Sequence, residues 1–160
     1  MGKIGLQLKA TLENITDLEA YDQDFRWYLK LKCMNCGEQS EKWQYITLTE
    51  KVPLKGGRGE ANFVSKCKLC ARENSVEILP DSLKKYAADD SETFKTIVVF
   101  DCRGLDPTDF SPRGGFRAVG ETSGTEFDEV NLEDKEWVDY DEKAKLSVSI
   151  CDVEHRFVKI

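Results

Sequence analysis

Two Cys-x-x-Cys pairs are the feature that most constrains the fold of this chain. Cys33 and Cys36 form the first pair, Cys67 and Cys70 form the second, and 30 residues separate Cys36 from Cys67. Zn²⁺ prefers four thiolates in a tetrahedron, and a two-residue gap lets each pair bind the same ion from one tight turn. The spacing exceeds the roughly 15–20 residues of the common pattern, so the intervening segment must contain strands of its own. The four cysteines predict one structural zinc ion in a closed site.

The residues beside the two pairs suit a thiolate site. Gly37 follows Cys36 directly and can adopt the positive φ that turns backbone amides toward sulfur. Ala71 takes the same place after Cys70, so the second turn is predicted to be less ideal. Four thiolates leave a bound zinc ion with a net negative charge. Four cations lie beside the pairs and would offset it: Lys32, Lys66, Lys68 and Arg72.

Hydrophobic alternation predicts an all-β fold. Residues 4–12, 25–31 and 146–150 alternate apolar and polar side chains with period two, which is typical of half-buried strands. Aromatic and β-branched runs predict further strands at 43–48, 62–65, 75–79, 96–100, 117–119, 125–132 and 137–140. Turn-like residues predict irregular structure at 14–24, and prolines and glycines predict a loop at 106–115. No segment carries a long helical period.

Short internal matches predict a duplication. The segment around Cys33 aligns with the segment around Cys102, and the segment around Cys67 aligns with the one around Cys151. In each alignment the first cysteine is matched and the second is not. The sequence therefore predicts two similar sheet-rich, sandwich-like halves, of which only the first keeps a complete four-cysteine zinc site.

The predicted organisation follows from these matches. Residues 1–80 form the zinc-bearing β half, residues 81–95 form a linker or short helix, and residues 96–160 form the second half with a degenerate metal site. With 160 residues the chain is expected to be a single compact unit.

These features resemble a known family. The paired motifs, the strand that leads into Cys33, the KGGRGEANF loop and the all-β pattern are similar to the eukaryotic CXXC-motif-containing zinc-binding proteins. The resemblance covers the whole chain. It implies an all-β protein of two similar halves with one Zn²⁺ held by Cys33, Cys36, Cys67 and Cys70. It adds a fold and a metal, but no reaction.

Charge and composition narrow the partners. The net charge is −7, and an acidic chain does not attract a phosphate backbone, so nucleic acid is not an expected partner. Residues 25–80 hold 10 Lys and Arg against 6 Asp and Glu, a net of +4, whereas residues 81–142 hold 7 against 17, a net of −10. This asymmetry is consistent with an ordinary solvated surface or with a charged face that docks another protein.

The expected compartment is the cytoplasm. The sequence has no apolar run of the length that a membrane span needs, and its first residues lack the apolar core of a signal peptide. We expect an intracellular monomer with no membrane attachment. Six cysteines in a reducing compartment indicate metal or redox chemistry instead of a disulfide framework.

The two other cysteines, the histidine and the glycine-rich loop are further candidates for a functional role. Cys102 and Cys151 are predicted core residues, with a secondary metal or redox role left open. His155 is the only histidine and is predicted at the surface or an edge; it could join Cys102, Cys151 and Glu154 in a second site. The glycine-rich loop lacks the phosphate-binding pattern and is predicted to be a hairpin loop. Within it, two cations leave anion or RNA contact open: Lys55 and Arg58.

The functional prediction is a non-enzymatic zinc-binding protein that docks another protein. It rests on the closed site, the absence of a recognisable catalytic arrangement and the uneven charge. The alternative is a thiol-redox or metal-transfer protein that uses the Cys-x-x-Cys pairs. A thioredoxin-like motif needs a helix after the cysteines, and no long helical pattern follows either pair.

Overall fold

The fold is built from antiparallel β-sheets. A computed structural model describes residues 2–20, 22–55 and 59–160, and these form 14 strands and two short 3-10 helices, Pro80–Ser82 and Ala88–Asp90. The strands are β1 (Gly2–Glu13), β2 (Ile15–Ala20), β3 (Trp27–Cys33), β4 (Gln44–Ile46), β5 (Val52–Pro53), β6 (Glu60–Ala61), β7 (Phe63–Lys66), β8 (Glu73–Ile78), β9 (Lys95–Arg103), β10 (Leu105–Ser111), β11 (Phe116–Gly120), β12 (Glu126–Val130), β13 (Trp137–Asp141) and β14 (Leu146–Lys159). The prediction of an all-β fold is confirmed.

One large sheet joins the two ends of the chain. Its six strands lie in the order β13-β14-β1-β9-β8-β7. The first strand pairs with the last, with a register that runs from Ile4 opposite Lys159 to Glu13 opposite Ser149. Two three-stranded sheets, β10-β3-β4 and β12-β11-β2, and the β5-β6 hairpin complete the described part of the chain. Strands from both ends of the sequence therefore share one sheet.

The pairing pattern is symmetric between the two parts of the chain. In the six-stranded sheet, β13, β14 and β1 mirror β7, β8 and β9 about the β1–β9 pair. The three-stranded sheets match in the same way, because β3 pairs with β4 and β10 while β11 pairs with β12 and β2. The internal duplication itself stays a prediction, and so does the division at residues 81–95.

The predicted counterparts of the metal cysteines do not come together. Cys102 lies opposite Gly2 and Cys151 lies opposite Thr11, at the two ends of β1. Nine residues of strand correspond to about 30 Å. The suggestion that Cys102 and Cys151 approach each other, or share a second site, is wrong.

The core lies between the six-stranded sheet and the smaller sheets. Alternation in β1 buries Leu6, Leu8 and Ala10, as the sequence pattern predicts. Edge-to-face aromatic contacts tie the layers together, since the ring of Trp27 on β3 lies 6.1 Å from that of Phe100 on β9. Most predicted strands are present, although their bounds shift by a few residues.

Two segments differ from the sequence prediction. Residues 14–24 contain β2, which begins after Asn14 takes the turn with φ 58°. Residues 106–115 contain most of β10, including Pro107, where a loop is predicted. Pro107 is tolerated because β10 is an edge strand of its sheet, so its missing N–H need not meet a neighbour. The segment between β8 and β9 contains the two 3-10 helices.

The glycine-rich loop lies partly outside the described residues. Lys55 is described, and its backbone N–H donates to Glu73 Oε2 at 3.1 Å, but the prediction for Arg58 falls outside the described part of the chain. Across residues 2–20, 22–55 and 59–160, no helix has the length and apolarity that crossing a bilayer requires.

Candidate metal centre

Two matching turns carry the four cysteines. β3 ends at Cys33 and β7 ends one residue before Cys67, so each strand delivers a Cys-x-x-Cys pair into a turn. We call residues 33–37 the first knuckle and residues 67–71 the second knuckle. In the first, Gly37 N–H donates to the Cys33 carbonyl at 2.8 Å. In the second, Ala71 N–H donates to the Cys67 carbonyl, also at 2.8 Å.

Both knuckles end in the left-handed region of backbone conformation. Gly37 has φ 83° and Ala71 has φ 63°. Glycine adopts this region freely, whereas alanine does so at a cost of about 1–2 kcal/mol. The second turn therefore has the same shape as the first but is held against backbone strain, as the sequence indicates.

The four sulfur atoms converge. All four Sγ atoms lie within 4.8 Å of one another. The two close contacts join one pair to the other, with Cys33 Sγ 3.7 Å from Cys70 Sγ and Cys36 Sγ 3.5 Å from Cys67 Sγ. A tetrahedron with Zn–S bonds of about 2.3 Å needs sulfurs about 3.8 Å apart. The sulfur spacing fits one tetrahedral zinc ion. Among the described residues, these four cysteines form the group with metal-binding geometry.

Backbone amides in the knuckles favour thiolates over thiols. The backbone N–H of Cys36, aided by that of Asn35, lowers the pKa of Cys33 to about 6. The pKa of Cys70 is lowered by the Asn35 side chain and by the Arg72 backbone. Thiolates are the metal-binding form, so these amides prepare the sulfurs for a cation.

The pKa of Cys36 is shifted in the opposite direction, upward. The Glu38 backbone amide lowers its pKa, but desolvation and the neighbouring sulfurs of Cys67 and Cys70 raise it more, to about 12. Crowding four sulfurs together makes the last thiolates costly to form. A bound cation removes that cost, because it neutralises their mutual repulsion.

Asn74 contacts the site from the buried side of Cys33. Its Nδ2 donates to Cys33 Sγ at 3.4 Å, and the residue is almost completely buried. Its Oδ1 is buried without a hydrogen-bond partner among the described residues and lies against Gly104. An ideal Cβ at position 104 would lie 2.9 Å from Asn74 Cγ, so this contact requires glycine. Sequence reasoning missed Asn74, since an asparagine inside a strand gives no metal signal.

The second half of the chain also holds the first knuckle. Met34 N–H donates to the Gly104 carbonyl at 2.9 Å, and Gly104 has φ 81° at the junction of β9 and β10. On the solvent side, Arg72 donates to Asn35 Oδ1 at 3.4 Å and links the two knuckles. The site is thus built from three separate stretches of sequence.

The other sequence candidates lie elsewhere. Cys102 is buried, and desolvation raises its pKa to about 12, as expected of a core thiol. Cys151 is only half-buried, so its predicted core position is not borne out. His155, predicted at the surface or an edge, is half-buried on β14: its ring packs edge-on against Phe110, and its Nε2 lies 3.1 Å from an Asp109 carboxylate oxygen.

Comparison with known sequences agrees with this site. A family model described as "CXXC motif containing zinc binding protein, eukaryotic" matches residues 5–158. The chain is 65% identical over 159 residues to the CXXC motif containing zinc binding protein of Homo sapiens, covering 99% of each sequence. It is 64% identical over 159 residues to the protein of the same name from Xenopus laevis, again covering 99% of each.

Solved structures have the same fold. A crystal structure of C1orf123 superposes with a TM-score of 0.96 at 64% identity, covering 99% of this chain and 100% of that one. A hypothetical protein from Plasmodium falciparum superposes with a TM-score of 0.90 at 23% identity, with the same coverage, and shows the fold alone.

Proposed function

Because this chain belongs to the eukaryotic family of CXXC motif containing zinc binding proteins, we propose that Cys33, Cys36, Cys67 and Cys70 hold its zinc ion in a closed, structural site. The convergence of four sulfurs within 4.8 Å is the observation that carries the proposal. Four thiolates fill a tetrahedron, so no position remains for water or substrate. The ion then fixes the two knuckles relative to each other, and surface side chains of the knuckles make any contact with a partner.

Metal analysis tests the ligand set. Purified protein is expected to contain one zinc ion per chain, and Co²⁺ substituted for zinc should give the charge-transfer bands of a four-thiolate site. Single Cys→Ser changes at each of the four positions should reduce metal affinity, while Cys151→Ser should not. Full metal content and unchanged affinity in any one of the four variants would remove that residue from the site.

The knuckles present apolar side chains to solvent. Met34 follows the first cysteine of its pair, Leu69 precedes the second cysteine of the other pair, and their side chains are 54% and 68% exposed. Side chains of this size are usually buried, and exposed apolar residues with a polar rim are typical of protein-binding surfaces. The rim carries a net positive charge, because the exposed acidic Glu38 is outnumbered by four exposed cations beside the knuckles: Lys32, Lys66, Lys68 and Arg72.

We infer that this surface docks a protein partner. The partner's complementary segment should pair one or two apolar anchors with acidic residues around them, because Met34 and Leu69 supply the centre and the cations supply the rim. Zinc acts here by holding the two anchors at a fixed separation. The function is therefore non-enzymatic in this proposal.

A pair of matched variants tests the docking surface. Met34→Ser with Leu69→Ser removes both anchors without touching a sulfur. Val138→Ser with Tyr140→Ser removes two side chains of similar exposure, 62% and 51%, from β13 in the second half. The knuckle variant should lose a co-purifying protein that the β13 variant retains, and both should keep one zinc ion. Equal partner recovery by the two variants would contradict the proposal.

The redox or metal-transfer alternative makes a different prediction. Cys36 is exposed, so a competing ligand can reach at least one sulfur. The short sulfur contacts join the two motifs, which favours chelation of one ion over a disulfide within either pair. Thiol titration of zinc-loaded protein separates the readings: no fast-reacting thiol supports the structural site, and a reversible Cys33–Cys36 disulfide at cytosolic potentials supports redox chemistry.

We also infer that the two halves derive from duplication of one β unit. The mirrored strand pairing supports this inference. The proposed boundaries stay at 1–80 and 96–160, joined by residues 81–95. The counterpart of the zinc site should then lie where β11 meets β12 and β13 meets β14, and not at Cys102 and Cys151.

A further inference from the structure

A second pair of turns repeats the geometry of the knuckles. Residues 120–124 connect β11 to β12, and residues 141–145 connect β13 to β14. Gly124 N–H donates to the Gly120 carbonyl at 3.0 Å, and Gly120 N–H donates to the Thr125 carbonyl at 2.8 Å. The first knuckle has the same two bonds, from Gly37 to Cys33 and from Cys33 to Glu38.

The backbone conformations agree as well. The fifth residue of each turn has a positive φ: 83° at Gly37, 63° at Ala71, 73° at Gly124 and 56° at Lys145. Aligning the turns at this residue matches Gly120 and Ser123 with Cys33 and Cys36. It places Asp141 and Ala144 on Cys67 and Cys70. These four positions therefore form the structural equivalent of the four-cysteine site.

A carboxylate occupies the centre of the second pair. Asp141 is 1% exposed, and its Oδ1 accepts from Thr125 Oγ1 at 2.9 Å. The same oxygen accepts from the backbone N–H groups of Lys143 and Ala144, at 3.1 and 3.2 Å. Ser123 Oγ donates to the other carboxylate oxygen, Oδ2. One side chain thus joins the two turns, as a metal ion would.

Two of the backbone N–H donors to this carboxylate occupy the same positions in the turn as the backbone N–H donors to Cys33 Sγ. Asp141 accepts from the amides two and three residues later, as Cys33 does from Asn35 and Cys36. These hydrogen bonds from Ser123 and the two amides also lower the pKa of Asp141, against a desolvation that raises it. The side chain is therefore an anion surrounded by donors, which leaves no vacancy for a cation.

Gly120 supplies an independent indication. An ideal Cβ at position 120 would lie 2.7 Å from Ser123 Oγ and would also collide with Asp141 Oδ2. The missing side chain therefore points into the centre of the turn pair, where the Cys33 side chain points in the first site. Glycine at this position makes room for the carboxylate.

We propose that the turns at 120–124 and 141–145 are a second knuckle pair in which the Asp141 carboxylate takes the place of a metal ion. The molecule then has one knuckle pair closed by a metal ion and a second knuckle pair closed by hydrogen bonds. Because the second pair closes without metal, loss of zinc should open the first pair alone. This inference relies on the proposed zinc ligands only for the first pair.

Hydrogen exchange of the unmodified protein tests this division. Removing zinc with a chelator should increase amide exchange in residues 33–37 and 67–71 by at least about tenfold, while exchange in 120–124 and 141–145 stays within about twofold. Simultaneous opening of both pairs, or of neither, would overturn the proposed division. Failure of the zinc ligand assignment alone would appear separately, as metal content that survives the Cys→Ser changes.

Removing the Asp141 carboxylate tests directly whether it closes the second knuckle pair. Asp141→Ala should increase exchange in 120–124 and 141–145 by about tenfold or more while zinc content stays at one per chain, because the Ser123, Thr125 and backbone donors lose their shared acceptor. Asp139→Ala removes an exposed carboxylate from the same strand and is the matched control. Equal exchange in the two variants would show that Asp141 does not close the turns.

A grafted site tests the geometric equivalence. Changing Gly120, Ser123, Asp141 and Ala144 together to cysteine should raise bound Zn²⁺ from one to two per chain, with doubled thiolate-to-Co²⁺ absorption in the cobalt form. The control variant carries serine in place of cysteine at the same four positions, and it should bind one ion. A folded four-cysteine variant that still binds one ion would refute the equivalence. If that variant does not fold, the exchange experiment on Asp141→Ala decides.

Discussion

Replacing Gly104 with alanine tests whether the second half of the chain supports the metal centre. Gly104 has φ 81°, where alanine costs about 1–2 kcal/mol, partly offset by about 0.4–1 kcal/mol from the stiffer unfolded chain. The new Cβ would also displace Asn74, because an ideal Cβ at position 104 lies 2.9 Å from Asn74 Cγ. Displacing Asn74 breaks its hydrogen bond to Cys33 Sγ, which destabilises the protein by about 1–3 kcal/mol more. We expect the free energy of unfolding to fall by about 1–4 kcal/mol in total.

Gly124→Ala isolates the contribution of Asn74. Gly124 has a similar φ of 73°, but an ideal Cβ there meets no atom within 4 Å, so only the backbone cost applies. The assay is urea unfolding of the zinc-loaded variants, with zinc affinity measured by competition against a chelator. Gly104→Ala should unfold at lower urea than Gly124→Ala and should also bind zinc more weakly. If the two variants agree within about 0.5 kcal/mol and bind zinc equally, the argument for Asn74 as a support of the metal site is refuted.

Three further predictions follow from single positions. Ala71→Gly should stabilise the zinc-loaded protein by about 0.5–1 kcal/mol in urea unfolding, because φ 63° strains alanine and not glycine; a destabilised variant would contradict the strain. Tyr86→Phe should cost about 1–3 kcal/mol without changing zinc content, since the buried hydroxyl donates to the Asp90 carbonyl at 2.6 Å and accepts from Ala10 N–H at 3.2 Å. Burial raises the pKa of Cys102 to about 12 from an ordinary value of about 9, so the unfolded chain loses this proton first and stability should fall as pH rises between those values. Cys102→Ala should flatten that decline in unfolding free energy, and an unchanged pH profile would assign it to other groups.

The sequence alone predicted the four-cysteine cluster and the all-β fold class. Four cysteines in two Cys-x-x-Cys pairs indicate zinc through their chemistry, and that signal is local to each pair. Period-two alternation likewise reports which face of a strand is buried, so β1 and β3 could be predicted closely. The positive φ expected at Gly37 is also a local property, set by the absence of a Cβ.

Other features depend on which strands become neighbours, and no local pattern reports that. β10 is a strand despite Pro107 because it lies at a sheet edge, and position in a sheet is a tertiary property. Asn74 and Gly104 meet at the first knuckle because β8 pairs with β9, although about 30 residues separate them in sequence.

The counterpart of the zinc site shows the same limit most clearly. Matching cysteine to cysteine pointed to Cys102 and Cys151, whereas the turn hydrogen bonds and positive φ values support our proposed counterpart at residues 120–124 and 141–145. Sequence determines which atoms can bind a metal, because ligand chemistry resides in the side chain. Only the folded backbone decides which positions correspond, since in our proposal a carboxylate closes one pair of turns and a metal ion closes the other, with different residue types at the matching positions.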